Sequence, residues 1–441
     1  MERTETMTRY RSMNISLLAS LALLVSACAP LEPRPTPPVE GAPIAIPWGS
    51  VPLLAAPGEI DQSITDSFIQ ALHAKINAHQ QAGTGGKIPY RALTLSGGGS
   101  RGAYGAGVLS GWTVRGGRPQ FDVVTGISTG ALMATHAFLG PEFDDDLAIY
   151  KDISNDDVFV KRSLLGTLRG TSALDTAPLR ETLMSVITVE TLNRVAVEHR
   201  NGRRLFIGTT NLDAGTFVIW DMGVIAGSQR PDRLKRYIDV VLASASFPIA
   251  FPPVYLDVEG EEGTYTEMHA DGGIRETVFF FDFDLIREIR LAMEAAGINV
   301  SDFKQELYLL NNAQIATIGP KYYEPIDGRI GAIAGATVDS LLTKATQGSI
   351  YRLWVLAMVH GADFHLSFVP PDYEFTSGSL TFDPVEQAAL FEFGYQQALD
   401  GRAWATVRAP TSNEELIQRI VDPTSSFDRN DLPDWLNRDK R

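Results

Sequence analysis

The chain has 441 residues, with 53 acids against 38 bases for a formal net charge of −15, and is 44% hydrophobic and 21% charged. This ordinary globular balance excludes wholesale disorder, and the acid excess argues against nucleic-acid binding, because phosphate affinity rests on clustered Lys and Arg. A single cysteine, Cys28, rules out an internal disulfide or a cysteine cage for zinc. Among seven histidines only His360 and His365, five apart, come near a ligand-pair spacing, and no metal or cofactor is expected.

At the N-terminus Arg9 and Arg11 precede an apolar run from Ile15 to Val25. The run suits the h-region of an export signal and is short for a bilayer span. It closes on Val25-Ser26-Ala27-Cys28, which resembles the bacterial lipobox, where cleavage precedes a cysteine that becomes acylated. An ordinary secretory signal cut near Ala27 is the alternative. Glu2 and Glu5 are foreign to an n-region, so initiation at Met7 is expected. The resemblance implies a signal peptide over 1–27 and a lipid-anchored envelope protein. Ala29, rather than Asp, follows the cysteine, a pattern similar to that sent on to the outer membrane. More than one acyl chain on Cys28 anchors stably. Prolines 30, 33, 35, 37, 38, 43 and 47 make 28–60 a semi-rigid spacer of polyproline type.

Residues 61–410 read as one body. Ile64, Phe68, Leu72 and Ile76 recur at four-residue steps and predict a helix over 62–80. A strand is expected at 91–95, a helix of small residues at 103–112, a strand at 121–124 and a helix over 128–139. Another helix, with Pro178 in its first turn, is expected over 175–186. Strands at 204–209 and 216–220 follow, the second rich in β-branched and aromatic residues. Helix 234–245, strand 306–310 and helix 335–361 come next. Asp383-Pro384-Val385-Glu386 opens the last helix with a cap, a first-turn proline and a capping-box acid. Residues 411–441 form a polar, acidic tail. The alternation predicts a three-layer α/β/α sandwich on a mostly parallel central sheet.

Three short segments carry chemistry. The first, Gly97-Gly98-Gly99-Ser100-Arg101-Gly102, lies between a strand and a helix. Glycines permit positive φ and close backbone approach, so several N–H groups can converge on an anion beside a helix N-terminus. That anion is a phosphate or the oxyanion of acyl transfer. A dinucleotide-binding turn has the same spacing, but it wants an acid closing the second strand; Asp122 opens it. The second segment, Gly126-Ile127-Ser128-Thr129-Gly130, falls where a strand breaks into a helix, the setting of a nucleophile elbow. The third, Asp271-Gly272-Gly273 after Met268-His269-Ala270, places an acid on a tight loop; Asp-Gly is also a routine turn.

A serine needs a base to become a nucleophile. Ser128, Asp271 and His360 follow the chain order of Ser-His-Asp α/β-hydrolases. Those enzymes place several strands before the elbow, whereas here one strand and a Gly-rich loop precede it. That arrangement resembles the patatin-like phospholipases, over roughly Arg91 to Thr277, with core motifs in 91–285. Ala243-Ser244-Ala245-Ser246-Phe247-Pro248, Phe251-Pro252-Pro253 and Thr210-Asn211-Leu212-Asp213 are also similar to the family's pattern. Where the family often has Asn six residues past the acid, this chain has Thr277.

The resemblance implies a Ser–Asp dyad, Ser128 and Asp271, with no catalytic histidine and no metal. It implies an oxyanion hole from the N–H groups of Gly98, Gly99 and Thr129, framed by Gly97, Ser100, Arg101, Gly102, Gly126, Gly130, Gly272 and Gly273. The implied activity is hydrolysis of fatty-acyl esters of membrane lipids. Arg101 is expected either to orient the loop or to meet a lipid phosphate, and His269 to be a bystander. Val278-Phe279-Phe280-Phe281 with Phe283 fits an acyl groove or, more simply, a buried strand or helix start. An inactive envelope lipoprotein and a nucleotide-binding protein are the other readings.

Overall fold

The computed structural model describes residues 34–36, 50–52, 62–83, 85–163, 170–260, 263–281, 283–315 and 325–421. The export signal, Cys28, most of the spacer and residues 422–441 lie outside the described residues. In chain order the strands are β1 (Ser50–Pro52), β2 (Ile88–Leu95), β3 (Val123–Gly126), β4 (Val160–Lys161), β5 (Leu174–Asp175), β6 (Arg204–Asn211), β7 (Thr216–Asp221), β8 (Val254–Gly260), β9 (Gly263–Asp271), β10 (Phe303–Asn311), β11 (Asp363–Phe368) and β12 (Ala405–Val407). The principal helices are α1 (Gln62–Gln81), α2 (Gly102–Arg115), α3 (Thr129–Leu139), α4 (Ala177–Val186), α5 (Val189–Arg200), α6 (Arg233–Ser244), α7 (Phe283–Ala295), α8 (Ile330–His360), α9 (Pro384–Leu399) and α10 (Asn413–Val421).

The sheet runs β1-β7-β6-β3-β2-β10-β11-β12, with its five central strands, β6 to β11, parallel and β9 and β8 attached at β6. Side chains alternate across it, as a strand's two-residue period demands. Leu93, Leu95, Val124, Leu205 and Leu310 enter one core with α2, α3 and α9. Ala92, Val123, Phe206, Leu307 and Leu309 enter the other, with Phe68 of α1 and Leu353 of α8. Both faces of the parallel strands are therefore buried under helices, which is the expected three-layer sandwich. The small residues of α2 have a packing reason. A Cβ on Gly107 would stand 2.0 Å from the Phe391 carbonyl oxygen, and one on Gly111 would stand 2.2 Å from that of Tyr395. Helices α2 and α9 thus touch backbone to backbone.

The site is set along β6. On one edge β3 pairs with it from Arg204 to Ile207. β7 occupies the other edge from Phe206 to Asn211. β3 then stops at Gly126, and from Thr209 its edge is taken over by β9, which arrives antiparallel and ends with Asp271 opposite Thr209. Ser128 lies two residues past Gly126, and Thr209 lies two past Ile207. The serine and the acid therefore reach one level of the sheet from opposite directions.

Several elements differ from expectation. The spacer contributes β1, an antiparallel edge strand on β7. Arg34 also docks on the β8–β9 hairpin, paired with Asp213, donating to the Thr266 carbonyl at 2.7 Å and stacked over the Tyr255 ring at 5.6 Å. β3 starts two residues late because Asp122 is engaged at the sheet's lower rim, accepting the Arg91 N–H at 2.8 Å and the Lys75 ammonium at 2.5 Å. Asp383 does cap α9, accepting from the Val385 and Glu386 N–H groups. Glu386, however, turns to the Thr376 N–H and the Ser377 hydroxyl instead of closing a capping box. Part of the polar tail forms α10, whose Leu416 packs on the second core.

Candidate active site

Ser128 sits between β3 and α3 at φ 54° and ψ −125°. Among the described residues only it and Ile249 are non-glycines with positive φ. Such backbone strain persists only where the surroundings over-determine it. Here the Ser128 N–H donates to Ser244 Oγ at 3.1 Å, and that hydroxyl donates to the Gly208 carbonyl of β6 at 2.6 Å. The elbow glycines answer to crowding: a Cβ on Gly130 would lie 2.4 Å from the Leu95 carbonyl oxygen, and one on Gly126 would lie 2.6 Å from that of Gly130.

The Asp271 carboxylate is buried, with 3% exposure, and lines one cleft with Ser128. Burial pushes its pKa up from 3.8 to about 7, against the opposing pull of the Ser128 hydroxyl and the Gly273 N–H. The Gly273 bond, at 2.7 Å, orients the carboxylate through Oδ1. The Asp271 backbone is pinned at both ends: its N–H donates to the Ser246 carbonyl at 2.9 Å and its carbonyl accepts from Thr210 Oγ1 at 2.9 Å. Gly272 packs so closely that a Cβ there would come within 2.5 Å of the Gly208 carbonyl oxygen.

Above the pair lies the Gly-rich loop. Gly99 takes φ 59°, and a Cβ there would collide with the Ser379 carbonyl oxygen at 2.0 Å. Three residues hold the loop. Gly97 N–H donates to the Thr277 carbonyl at 3.0 Å, and Ser100 N–H to the Ser379 carbonyl at 2.8 Å. Asn312, just past β10, donates through its N–H to Ser96 Oγ at 2.8 Å and through Nδ2 to the Ser96 carbonyl at 2.9 Å. Its Oδ1 accepts the Gly105 N–H at 3.1 Å. The N–H groups of Gly98, Gly99 and Thr129 have no acceptor among the described residues. These three residues line one cleft with Ser128 and Asp271, about 2700 Å³ out to its open mouth. Its walls are mostly apolar and include Leu132, Leu183, Phe251, Val338 and Leu342. The Arg101 guanidinium also lines it, stacked 4.1 Å over the Phe375 ring, with no hydrogen bond or ion pair among the described residues. Burial lowers its pKa.

The histidines are engaged elsewhere. His269 shares Nδ1 with Thr209 Oγ1 at 2.9 Å and Nε2 with Glu267 at 3.1 Å. His360, at the end of α8, accepts from Arg290 at 3.1 Å. His365 stacks on Tyr308 and bonds Thr406 at 2.9 Å; burial holds its pKa at about 4. It does stand with Glu306 and Asp363 in a grouping of metal-ligand type. Both carboxylates are taken by cations, Glu306 by Arg91 and Lys304 and Asp363 by Arg408. Asp122 sits at the end of β3 opposite to the Gly-rich loop, which removes the acid a dinucleotide site needs. The aromatic run does not line the Ser128 cleft. Val278, Phe279 and Phe281 are buried in the core on the other side of the sheet. The Phe283 side chain lies outside the described residues.

Sequence reasoning quoted Ser244 without assigning it a part, and it missed Asn312 and Ser379 altogether. At the departure from the family pattern, the Thr277 carbonyl holds the Gly-rich loop while its buried hydroxyl is left without a partner.

Strand, elbow serine, glycine loop and buried acid thus stand together at one cleft of an α/β protein. Residues 93–284 match the model of the patatin-like phospholipase family. Over 198 residues it is 30% identical to a cGAMP-activated phospholipase of Pseudomonas aeruginosa, covering 42% of this chain and 53% of that protein. The chain thus spans about half the length of the curated relative it matches. The crystal structure of VipD from Legionella pneumophila aligns at 15% identity with a TM-score of 0.31, over 73% of this chain and 69% of that one.

Proposed function

We propose that this chain is a membrane-tethered serine acyl hydrolase that cleaves fatty-acyl esters of phospholipids, with Ser128 as nucleophile and Asp271 as its base. The observation that carries the proposal is the placing of a buried Asp271 in one cleft with Ser128, which sits at a strained strand–helix elbow; burial raises the Asp271 pKa to about 7. An ordinary carboxylate, near 3.9, is a poor base for a hydroxyl; burial brings this one close to a useful working pH.

Asp271 takes the Ser128 proton as Oγ bonds to the ester carbonyl carbon. The carbonyl oxygen becomes the oxyanion and receives the N–H groups of Gly98, Gly99 and Thr129, which have no other acceptor among the described residues. Removing one such donor typically costs about 3 kcal/mol of barrier lowering. The ester C–O bond then breaks, and Asp271 returns the proton to the leaving alcohol. In the second half Asp271 deprotonates a water that attacks the acyl-Ser128 carbonyl, and the fatty acid leaves as Ser128 regains its proton.

Arg101, whose guanidinium lines the cleft with no ion pair among the described residues, favours a substrate bearing a phosphate. Arg101→Gln should raise KM for phospholipid more than for a p-nitrophenyl ester; equal effects would refute the phosphate contact. Cys28 lies six positions before the docked Arg34, a reach of roughly 20 Å. An acylated Cys28 would therefore hold the body close to its substrate in the envelope. Cys28→Ala should abolish palmitate labelling of the protein, and labelling that survives would end the anchor proposal.

The decisive test is a fluorophosphonate probe followed by mass spectrometry of the modified peptide. Label on Ser128, lost in Ser128→Ala, is expected. Label on another residue would overturn the assignment, and absence of both label and ester hydrolysis would favour an inactive lipoprotein.

A further inference from the structure

The face of the sheet opposite Ser128 holds a second hollow. Helix α7 and the C-terminal end of α8 leave a crevice of about 130 Å³ over β2 and β10, open to the surface at its mouth. The lining is almost wholly apolar, with Phe68, Phe280, Phe281, Ile286, Met293 and Leu356 contributing. The aromatic run that looked like an acyl groove in sequence therefore does meet a cavity, on the other side of the sheet from the cleft. Two features give the crevice a polar end. Glu306 borders it, but its carboxylate is consumed by Arg91 at 2.8 Å and Lys304 at 3.0 Å. Arg290 also borders it, and that cation has no carboxylate partner among the described residues. Its one bond is to His360 Nδ1 at 3.1 Å, which steadies the guanidinium at the crevice and leaves most of its donors unspent.

We propose that this crevice is a binding site for a free fatty acid, with the alkyl chain on the Phe280–Phe281 floor and the carboxylate on Arg290. Apolar walls supply the affinity by taking the alkyl chain out of water. A charge-assisted bond to a planar guanidinium selects the anionic end. The site does not depend on Ser128, because it is read by binding and lies across the sheet from the cleft. If the proposed hydrolase activity holds, the ligand is of the same class as its product, and the crevice senses the acid that the cleft releases.

The test uses the full chain and a fatty acid carrying a diazirine near its ω end. After irradiation the labelled peptides are mapped, for the wild-type protein and for Arg290→Gln, an exposed change that leaves p-nitrophenyl butyrate turnover intact. Expected is label on peptides holding residues 280–281, 286–293 or 356–362. That label should fall about tenfold in Arg290→Gln, the loss of one charge-assisted contact, and should be as weak in the wild type when the probe ends in an alcohol. Ala357→Phe, which fills the crevice, should remove the label. Label confined to cleft peptides around Leu132, Leu183 and Leu342 would overturn the proposal. So would crevice label that is indifferent to Arg290 and to the probe's charge, or that dodecyl phosphate displaces over tenfold better than dodecanoate. Because the readout is position of label, an inactive Ser128 does not mimic any of these results.

Discussion

The first part of the chain, up to about residue 285, and the part beyond it build the same site in different ways. The first carries the glycine loop, the elbow and Asp-Gly-Gly, and with them the groups proposed to react: Ser128, Asp271 and the amides of Gly98, Gly99 and Thr129. The second part carries none of these, yet Asn312 and Ser379 come from it and hold the Gly-rich loop, while Val338 and Leu342 of α8 wall the cleft. Local sequence patterns mark residues that must take an unusual backbone shape or perform chemistry. They do not mark the residues that clamp such a loop from across the fold.

The largest expected effects fall in the first part. Ser128→Ala should lower kcat by about 10⁴-fold or more, since nucleophile removal in serine hydrolases is on that scale. Asp271→Asn should cost about 10³–10⁴-fold, the range for losing a general base. Fatty-acid release from phospholipid vesicles measures both. Retained activity in either variant would erase the division of labour between the two parts, because the reacting groups would then have been misassigned.

Asn312→Ala probes the second part. It strips partners from the Ser96 carbonyl and the Gly105 N–H, both in the loop's immediate frame. Each buried orphan costs about 1–3 kcal/mol. The variant should lose stability, and its kcat should fall about 10- to 100-fold with KM little changed, as expected when the oxyanion amides lose their register. A variant with unchanged kcat and a lower melting temperature would show that Asn312 serves the fold alone.

This contrast also explains how much was legible. The Gly-rich loop, the elbow and Asp-Gly-Gly were readable because each is short and each demands glycine for a local reason, such as the 2.4 Å approach to Leu95 at Gly130. The parallel core strands were readable from their apolar runs. The β8–β9 hairpin was not foreseen, although Val254, Leu256 and Val258 alternate inward; Pro252 and Pro253 just before them read as a break. Without that hairpin there was no way to see that β9 replaces β3 along β6, which is what joins Ser128 to Asp271. Ser379 was invisible because its contribution is a carbonyl oxygen, which any residue supplies. The aromatic run was placed correctly as buried, but the cavity it meets depends on how α7 and α8 sit, and no local pattern encodes that.

Asp271 also gives a pH signature. Its pKa rises from 3.8 to about 7 on folding, so the native state holds this proton more tightly than the unfolded chain. Its contribution to stability is complete below about 3.8 and is lost as pH climbs to 7, a swing on the order of 4 kcal/mol. Asp271→Asn cannot ionise and escapes that loss. Its melting temperature should exceed the wild type's at pH 8 and match it near pH 4, in calorimetry at both pH values. The wild-type kcat/KM should rise through pH 7 and level off. A variant no more stable at pH 8 than the wild type would mean that the carboxylate is better solvated than its burial implies.

The smallest effect separates two kinds of strain. Ser128 and Ile249 share a positive φ, but Ser128 is fixed by Ser244 and Asp271, whereas Ile249 is 83% exposed at the cleft mouth. A β-branched residue in that conformation costs about 1–2 kcal/mol. The Ile249 side chain buries almost nothing in return; the turn is held by backbone bonds, Ala173 N–H to the Ile249 carbonyl at 2.9 Å and Leu174 N–H to that of Ala250 at 3.0 Å. Ile249→Gly keeps those bonds and relieves the strain, offset by about 0.5–1 kcal/mol of added freedom in the unfolded chain. The net gain should be below about 1 kcal/mol, a melting-temperature rise of about 1–3 °C. Turnover of p-nitrophenyl butyrate should not change, while hydrolysis of long-chain phospholipid should fall if the side chain meets the lipid at the mouth. A lower melting temperature would instead mean that Ile249 is held by contacts the fold requires, and its strain would then belong with that of Ser128.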